Sequence, residues 1–202
     1  MPLPEIFTLV SCPIVGELGP DTTVIENEPC PECGRPYRPF IVFLDYVFDA
    51  WQRAEFIQVV DTYAMTKRLF TAAQNAGLKG FSAREMKVTR GERMDPNIEI
   101  PEFVRFWVDG EADGPSGWWE RGPVCPECGR VIWKNTDRLA QALFATKDEP
   151  GPARLVWPKS WEGEDIFTVG DPGPPVVTDR FKVFLEREQV IELVFAPARW
   201  AD

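Results

Sequence analysis

The chain has 202 residues, 44% of them hydrophobic, which is enough to bury a core without disulfides. Its formal net charge is −10 at pH 7, and this acidity disfavours binding to phosphate backbones or anionic membranes and favours a basic protein partner. The sequence contains no histidine, which excludes Ser-His and Cys-His catalysis and histidine ligation of metals.

Membrane and export signals are missing from the sequence. No segment approaches the ~20 consecutive apolar residues that a membrane-spanning helix needs. Residues 1–10 also lack the basic and then apolar pattern of a signal peptide. We therefore expect a soluble, cytoplasmic protein.

Short apolar runs bounded by proline, glycine or polar residues predict the strands of the fold. The clearest run is apolar and aromatic, begins soon after Pro39 and has the length of a buried strand. Together with the helical segments described next, these runs predict an α+β fold of mixed strands and short helices. The predicted strands are residues 6–10, 41–48, 102–108 and 131–133.

A short helix and an irregular linker are predicted after the last of these strands. Asn135 or Thr136 is suited to cap a helix in which Leu139, Ala142 and Leu143 share one face. The following segment is rich in proline and glycine, which predicts irregular backbone. The predicted units are an α+β region at residues 1–146, a linker at 147–165 and a C-terminal helix–strand unit at 166–202, packed on the same core.

Two segments that lie 112 positions apart, residues 65–83 and 177–195, share one pattern. Each predicts a helix, a turn and a strand, with Thr66 or Thr178 at the N-cap position and apolar residues at helical spacing behind it. The pattern is compatible with an internal duplication. The alternative stays open, because any two amphipathic helices that precede a strand look alike and few residues are identical.

The cysteines carry the clearest chemical signal. Cys30 and Cys33 belong to one Cys-Pro-Glu-Cys-Gly-Arg copy, and Cys125 and Cys128 belong to a second copy. Two Cys-x-x-Cys knuckles supply the four soft ligands that a tetrahedral zinc ion requires. The sequence therefore predicts one structural Zn²⁺ per chain. The fifth cysteine, Cys12, is expected to be a small buried hydrophobic residue.

The residues that follow each knuckle fit this interpretation. Gly34 and Gly129 are able to take positive φ and let backbone amides point at the sulfurs. Arg35 and Arg130 are placed to offset the negative charge of four thiolates. The spacer between the knuckles, residues 34–124, has 91 residues, far more than the ~15 to 20 of a compact zinc ribbon, so the site is predicted to be a split zinc ribbon that joins distant parts of the chain.

Two other interpretations of the cysteines remain. A thiol oxidoreductase would use a thiolate with a lowered pKa at a helix N-terminus, but strand-like sequence follows both knuckles. A zinc-ribbon adaptor for nucleic acid would need a basic stripe, which the net charge of −10 opposes. Four cysteine ligands leave no open coordination position, so no zinc-dependent catalysis is predicted and no catalytic residue is assigned.

The segment before the second knuckle combines carboxylates with aromatic side chains. Glu111, Asp113, Trp118 and Trp119 are candidates for contact with a protein partner, because tryptophan is enriched at binding hot spots and carboxylates steer basic partners. The alternative is that the tryptophans pack over the zinc knuckle and the acidic residues are solvated. Whether the protein is a monomer or a homodimer is left open.

The two Cys-Pro-Glu-Cys-Gly motifs, at residues 30–34 and 125–129, resemble those of the double-CXXCG-motif family of myxobacterial immunity proteins. Residues 51–85 and 165–197 are similar to the middle and C-terminal segments of that family. The resemblance implies a cytoplasmic antidote that binds and blocks a cognate toxin, delivered between kin cells as a lipoprotein, without turnover. It implies no particular toxin-contacting residue.

Overall fold

The structure is a computed structural model, and the protein is a mixed α+β fold dominated by strands. The helices of the described residues are Lys67–Asn75 (α1), Asp137–Leu143 (α2) and Asp179–Arg187 (α3), and a 3₁₀ turn lies at Pro158–Ser160. Among the described residues, no helix is both long and apolar enough to cross a membrane. The described residues are 2–25, 28–34, 40–49, 51, 53–60, 62–115, 117–143, 152–170 and 173–202.

Strands make up most of the regular structure. They are short, and most of them pair with strands that are distant in the sequence. In chain order they are Ile6–Ser11 (β1), Gly16–Leu18 (β2), Thr23–Ile25 (β3), Phe40–Phe48 (β4), Phe56–Val59 (β5), Thr62–Thr66 (β6), Phe81–Arg84 (β7), Met86–Arg90 (β8), Phe103–Val108 (β9), Gly110–Ala112 (β10), Trp119–Val124 (β11), Val131–Asn135 (β12), Arg154–Val156 (β13), Ile166–Val169 (β14), Val176–Thr178 (β15) and Val194–Trp200 (β16).

The largest sheet has six strands in the order β10-β14-β15-β1-β16-β13. The outer pairs, β10 with β14 and β13 with β16, are parallel, and the inner pairs are antiparallel. A second sheet has the order β5-β6-β9-β7. In a third group, β2 and β3 run antiparallel to successive parts of β4, and β8 pairs with β4 in parallel. Strands β11 and β12 form a separate hairpin.

The main core lies where the six-stranded sheet and the β5-β6-β9-β7 sheet meet helices α1 and α3. Leu9 from the six-stranded sheet and Phe106 from the four-stranded sheet are buried there, together with Leu69 of α1 and Phe181 of α3. These residues are 0–1% exposed. A burial of this kind contributes about 1.5–3 kcal/mol for each large apolar side chain. The N-terminal and C-terminal parts of the chain therefore share one core.

The two helices α1 and α3 begin in the same way. Thr66 and Thr178 each accept a hydrogen bond from the backbone N–H three residues later, at 3.3 and 3.4 Å. Each hydroxyl also donates to a carboxylate from a preceding segment, Thr66 to Glu55 at 3.0 Å and Thr178 to Asp165 at 3.1 Å. The predicted threonine N-caps are thus confirmed, because each satisfies a backbone donor that the first turn leaves open.

The two helices also end in the same way. Gly77 and Gln189 follow the C-caps with φ values of 69° and 59°, in the left-handed region. Leu78 and Val190 then donate their backbone N–H groups to the last turn of the helix, at 3.2 and 3.0 Å. This is the Schellman arrangement, which satisfies carbonyls at a helix end. The predicted succession of helix, turn and strand is confirmed in both segments.

Some short strands lie in segments for which the sequence predicts no strand. The segment at 147–165, predicted to be an irregular linker, contains β13, whose Arg154 and Val156 are fully buried; residues 147–151 lie outside the described residues. Strands β2, β3 and β10 also lie outside the predicted strands. Each of these strands has only three residues, so its conformation is set by pairing with a distant strand and not by a local pattern.

One hairpin residue is strained. Val60 directly follows β5, is 50% exposed and has φ 55°, a left-handed conformation that is unfavourable for a β-branched side chain. Asparagine tolerates this conformation, so Val60→Asn is expected to raise the free energy of unfolding by ~1 kcal/mol in urea denaturation. The matched control is Val42→Asn, because Val42 is 52% exposed within β4 and should lose stability. A loss of stability in Val60→Asn would contradict the prediction.

Candidate metal centre

Each cysteine knuckle lies in the connection between two antiparallel strands. The first, with Cys30 and Cys33, lies between β3 and β4, and the second, with Cys125 and Cys128, lies between β11 and β12. Each knuckle is therefore flanked by two strands that pair with each other. Their tips meet, although they are 95 positions apart in the sequence.

The four sulfurs have the spacing of a single tetrahedral site. The Sγ atoms of Cys30 and Cys125 are 3.8 Å apart, those of Cys33 and Cys128 are 3.9 Å apart, and all four lie within 4.8 Å of one another. A tetrahedron with metal–sulfur bonds of ~2.3 Å has sulfur–sulfur edges of ~3.8 Å. The distances are far longer than a disulfide bond of ~2.05 Å, and no disulfide joins any of the four cysteines. The four cysteines are thus close enough to hold one metal ion.

The backbone of the two knuckles is the same. The N–H group of Gly34 donates to the carbonyl of Cys30 at 2.8 Å, and that of Gly129 donates to the carbonyl of Cys125 at 2.9 Å. Gly34 has φ 64° and Gly129 has φ 69°. A side chain would meet nothing within 4 Å at either position, so glycine is favoured there by the backbone conformation and not by crowding. The predicted positive φ at both glycines is confirmed.

Burial and charge distinguish the sulfurs. Cys30 and Cys125 are 1% and 2% exposed, whereas Cys33 and Cys128 are half-buried. The backbone N–H and the guanidinium of Arg130 donate hydrogen bonds to Cys128 and lower the pKa of its thiol to about 6. A thiolate at neutral pH needs no proton release to bind a metal. Arg35, the equivalent residue after the first knuckle, lies outside the described residues.

Thiol labelling should separate the five cysteines into two groups. Cys12 is 5% exposed, and burial raises the pKa of its thiol, so it should not react with iodoacetamide in the folded protein. The four knuckle cysteines should be protected in metal-replete protein and should react after a chelator is added, because only free thiolates are nucleophilic. Mass spectrometry of the labelled peptides measures the labelling of Cys12 and of the four knuckle cysteines. Labelling of Cys12 before denaturation, or of the knuckles with metal bound, would contradict this expectation.

The residues predicted to contact a partner lie in different environments. Glu111 is exposed on β10, while Asp113 and Trp119 are half-buried. Trp118 is fully buried: its Nε1 donates to the carbonyl of Pro152 at 2.9 Å, and its ring packs with Leu139 and other residues of one core cluster. This burial removes Trp118 from the surface that a partner could reach. Contact through the other three residues stays a prediction.

Sequence reasoning missed a large surface groove. The apolar groove, as we call it, has a volume of about 1160 Å³ and lies between α3, β1 and β16. Its lining includes Phe7, Leu185 and Phe195, three apolar residues from three elements. A local sequence pattern shows that these residues are apolar but not that a gap is left between the elements.

Comparison with known proteins adds no assignment. No protein family model matches the chain. A search of curated proteins finds no significant match. The chemistry of the metal centre therefore rests on its own residues.

Proposed function

We propose that this chain is a non-enzymatic immunity protein that binds and neutralises a cognate, basic bacterial toxin domain in the cytoplasm. The observation that carries the proposal is the closed set of four thiols contributed by two separate hairpins. Four protein ligands fill a tetrahedral ion and leave no position for a substrate, which is the signature of a structural site. Such a centre fixes a binding surface and does not perform a reaction.

The ion that best suits this ligand set is one structural Zn²⁺. Zinc accepts four thiolates in a tetrahedron without a redox change, whereas Mg²⁺ and Ca²⁺ prefer oxygen ligands. Cys30, Cys33, Cys125 and Cys128 would hold it, and Arg130 would offset part of the excess negative charge. The presence of a knuckle in each of two strand connections supports the proposal of a split zinc ribbon.

The proposed partner follows from charge and from the motifs. An acidic chain with a net charge of −10 attracts a basic partner and accelerates its association. A toxin that acts on nucleic acid, such as a nuclease, is basic for the same physical reason. The two Cys-Pro-Glu-Cys-Gly motifs resemble those of the double-CXXCG immunity family, which supports an antidote that binds a toxin without turnover.

We also infer that the two helix–turn–strand units are copies of one another. Their contacts are reciprocal. Arg68, two residues after the first N-cap, donates to the carboxylate of Glu188 at the end of α3 at 2.7 Å. Arg180, two residues after the second N-cap, donates to the backbone carbonyl of Ala76 at the end of α1 at 2.5 Å. Arg68 and Arg180 are 112 positions apart, and so are Ala76 and Glu188. An exchange of equivalent contacts is expected when duplicated units pack about an approximate two-fold axis.

Two alternatives make different predictions. A CxxC thiol oxidoreductase is favoured by the lowered pKa of Cys128 but requires metal-free, reactive cysteines. A zinc-ribbon adaptor would keep the metal but bind nucleic acid or another protein in place of a toxin. Metal content measured after purification under reducing conditions separates the first alternative from the others.

The test combines metal analysis with toxin neutralisation. The chain is expressed in a bacterial host with the toxin domain encoded beside its gene, and growth is measured with wild-type, Cys30→Ser and Cys12→Ser chains. One zinc per wild-type chain is expected, with growth rescued by the wild type and Cys12→Ser but not by Cys30→Ser. Direct binding is measured by calorimetry with an active-site variant of the toxin. Rescue without binding, or toxicity unaffected by the wild-type chain, would overturn the proposed function.

A further inference from the structure

We propose that the apolar groove binds one amphipathic helix of a basic partner. This inference rests on the proposed function and deepens it, because the helix would belong to the toxin domain. The groove is bordered by α3 on one side and by β1 and β16 on the other, and its volume is about 1160 Å³. This exceeds the ~300–1000 Å³ typical of small-molecule sites, so a polypeptide segment is the better match.

The lining of the groove is apolar and reaches the protein surface. Phe7, Leu185 and Phe195 line it with half-buried or buried side chains. Leu3 and Val194, also in the lining, are 45% and 46% exposed. Contiguous exposed apolar surface with a polar border is typical of a protein interaction site. The cost of leaving these two side chains in water is removed when a partner covers them.

The strand pairing indicates a helix and not a strand as the occupant. β1 is paired with β15 on one side and with β16 on the other, and β16 is paired with β1 and β13. The β1 edges are used within the sheet, whereas β13 pairs with β16 only at residues 198–200. The rest of that β16 edge contains Pro197, which has no N–H to donate to an added strand. Recognition through side chains is therefore favoured over strand addition. A helix presents apolar side chains at positions i, i+3, i+4 and i+7 on one face for such a groove.

One wall of the groove is formed by α3 and the segment that follows it. Within α3, Lys182, Leu185 and Glu186 line this wall over about one helical turn, or ~6 Å at ~1.5 Å per residue. The lining continues beyond the helix through Val190 and Leu193. A partner helix in the groove would therefore contact both α3 and the segment that follows it.

Charge selects a basic helix. Glu5, Glu186 and Glu192 line the groove together with Lys182 and Arg199. Lys182 is paired with Glu186 at 3.2 Å, while Glu5 and Glu192 form no ion pair with any residue that the structure describes. With Lys182 and Glu186 balanced, two glutamates and Arg199 remain, which leaves a local net charge of −1 within a chain of net charge −10. Lysine or arginine on the polar face of the helix would complement it.

A designed peptide tests the groove without the toxin. The probe is a fluorescent 14-residue peptide with leucine at positions i, i+3, i+4 and i+7 and lysine elsewhere; one control replaces every lysine with glutamate and another scrambles the leucines. Fluorescence anisotropy against the metal-replete full chain is expected to show binding of the lysine peptide only. Hydrogen exchange with bound peptide should slow at α3 and around β16 and not elsewhere.

Matched variants locate the binding. Val194→Asn and Leu3→Asn remove exposed apolar contacts and should leave the fold intact. Each should lower the affinity for the lysine peptide about tenfold. Glu192→Gln should lower this affinity about threefold at low salt. Ile14→Asn is the control, because Ile14 is 69% exposed but does not line the groove; this variant should bind like the wild type.

Several outcomes would overturn the inference. They are equal binding of the glutamate or scrambled peptide, equal loss in Ile14→Asn, or unchanged affinity in Val194→Asn. Concentration-dependent dimerisation that protects the same groove would show a second copy as the occupant and would also overturn it. If the toxin binds but the groove variants bind it normally, the groove proposal fails and the immunity function stands. If the peptide binds but no toxin does, the immunity function fails and the groove remains a site for a basic amphipathic helix.

Discussion

Cys125→Ser is expected to abolish metal binding and to unfold the protein or loosen it severely. Cys125 is 2% exposed, and its sulfur is 3.8 Å from that of Cys30, so no solvent ligand reaches the position that it occupies. A structural zinc contributes on the order of 10 kcal/mol, which is comparable to the net stability of a whole domain. Elemental analysis and thermal denaturation of the purified variant measure both effects.

Cys12→Ala provides the matched control for this substitution. Cys12 is also buried, at 5% exposed, but lies in the main core and away from the four ligands. Its replacement should cost ~1 kcal/mol and leave one metal ion per chain. If Cys125→Ser keeps its metal and its melting temperature, the four-thiolate site does not exist. If Cys12→Ala loses metal, the ligand set has been assigned incorrectly.

Trp118→Ala is expected to lower the free energy of unfolding by ~3–5 kcal/mol, because it leaves a large cavity in a core cluster. Trp118 is fully buried, its Nε1 is bonded to the carbonyl of Pro152, and the guanidinium of Arg154 lies 5.6 Å from the centre of its ring. For a domain of this size the loss corresponds to about 10 °C in melting temperature. Urea denaturation of the variant measures the loss directly.

Trp157→Ala is the matched control, because it removes the same type of side chain from an exposed position. Trp157 is 41% exposed, so its replacement should change stability by less than ~1 kcal/mol. Partner binding by Trp118→Ala should fall only in proportion to the unfolded fraction. A Trp118→Ala protein that is as stable as the wild type but fails to bind its partner would contradict this account and would return Trp118 to the contact surface.

The turn of each cysteine knuckle was predictable from the sequence because its information is local. Each Cys-x-x-Cys-Gly copy encodes its own turn, and the positive φ of Gly34 and Gly129 follows from that turn. The threonine caps Thr66 and Thr178 were predictable for the same reason, since a cap satisfies donors within one helical turn. Longer apolar runs such as β4 were equally clear, because nine residues of regular pattern outweigh local exceptions.

Features that depend on distant pairing were not predictable. β13 lies in a segment rich in proline and glycine, and it is a strand only because β16 pairs with it. Trp118 carries the same local signal whether it packs inward or faces a partner, and its burial depends on Leu139 and Ala196 from other elements. The apolar groove is likewise a property of three elements together. Sequence patterns report which residues are apolar, whereas the structure decides which of them remain uncovered.

The junction of the two knuckles gives the chain an unusual response to backbone cleavage. Asp95 and Asn97 are exposed and lie between the two cysteine pairs in the sequence, in a loop of the kind that proteases cut first. After a cut there, β1–β8 and β9–β16 belong to separate fragments, each carrying one knuckle. With the ion in place, the fragments stay joined through both the sheets and four metal–sulfur bonds. Zinc would then serve as a clasp between two polypeptides, and its removal would allow them to part.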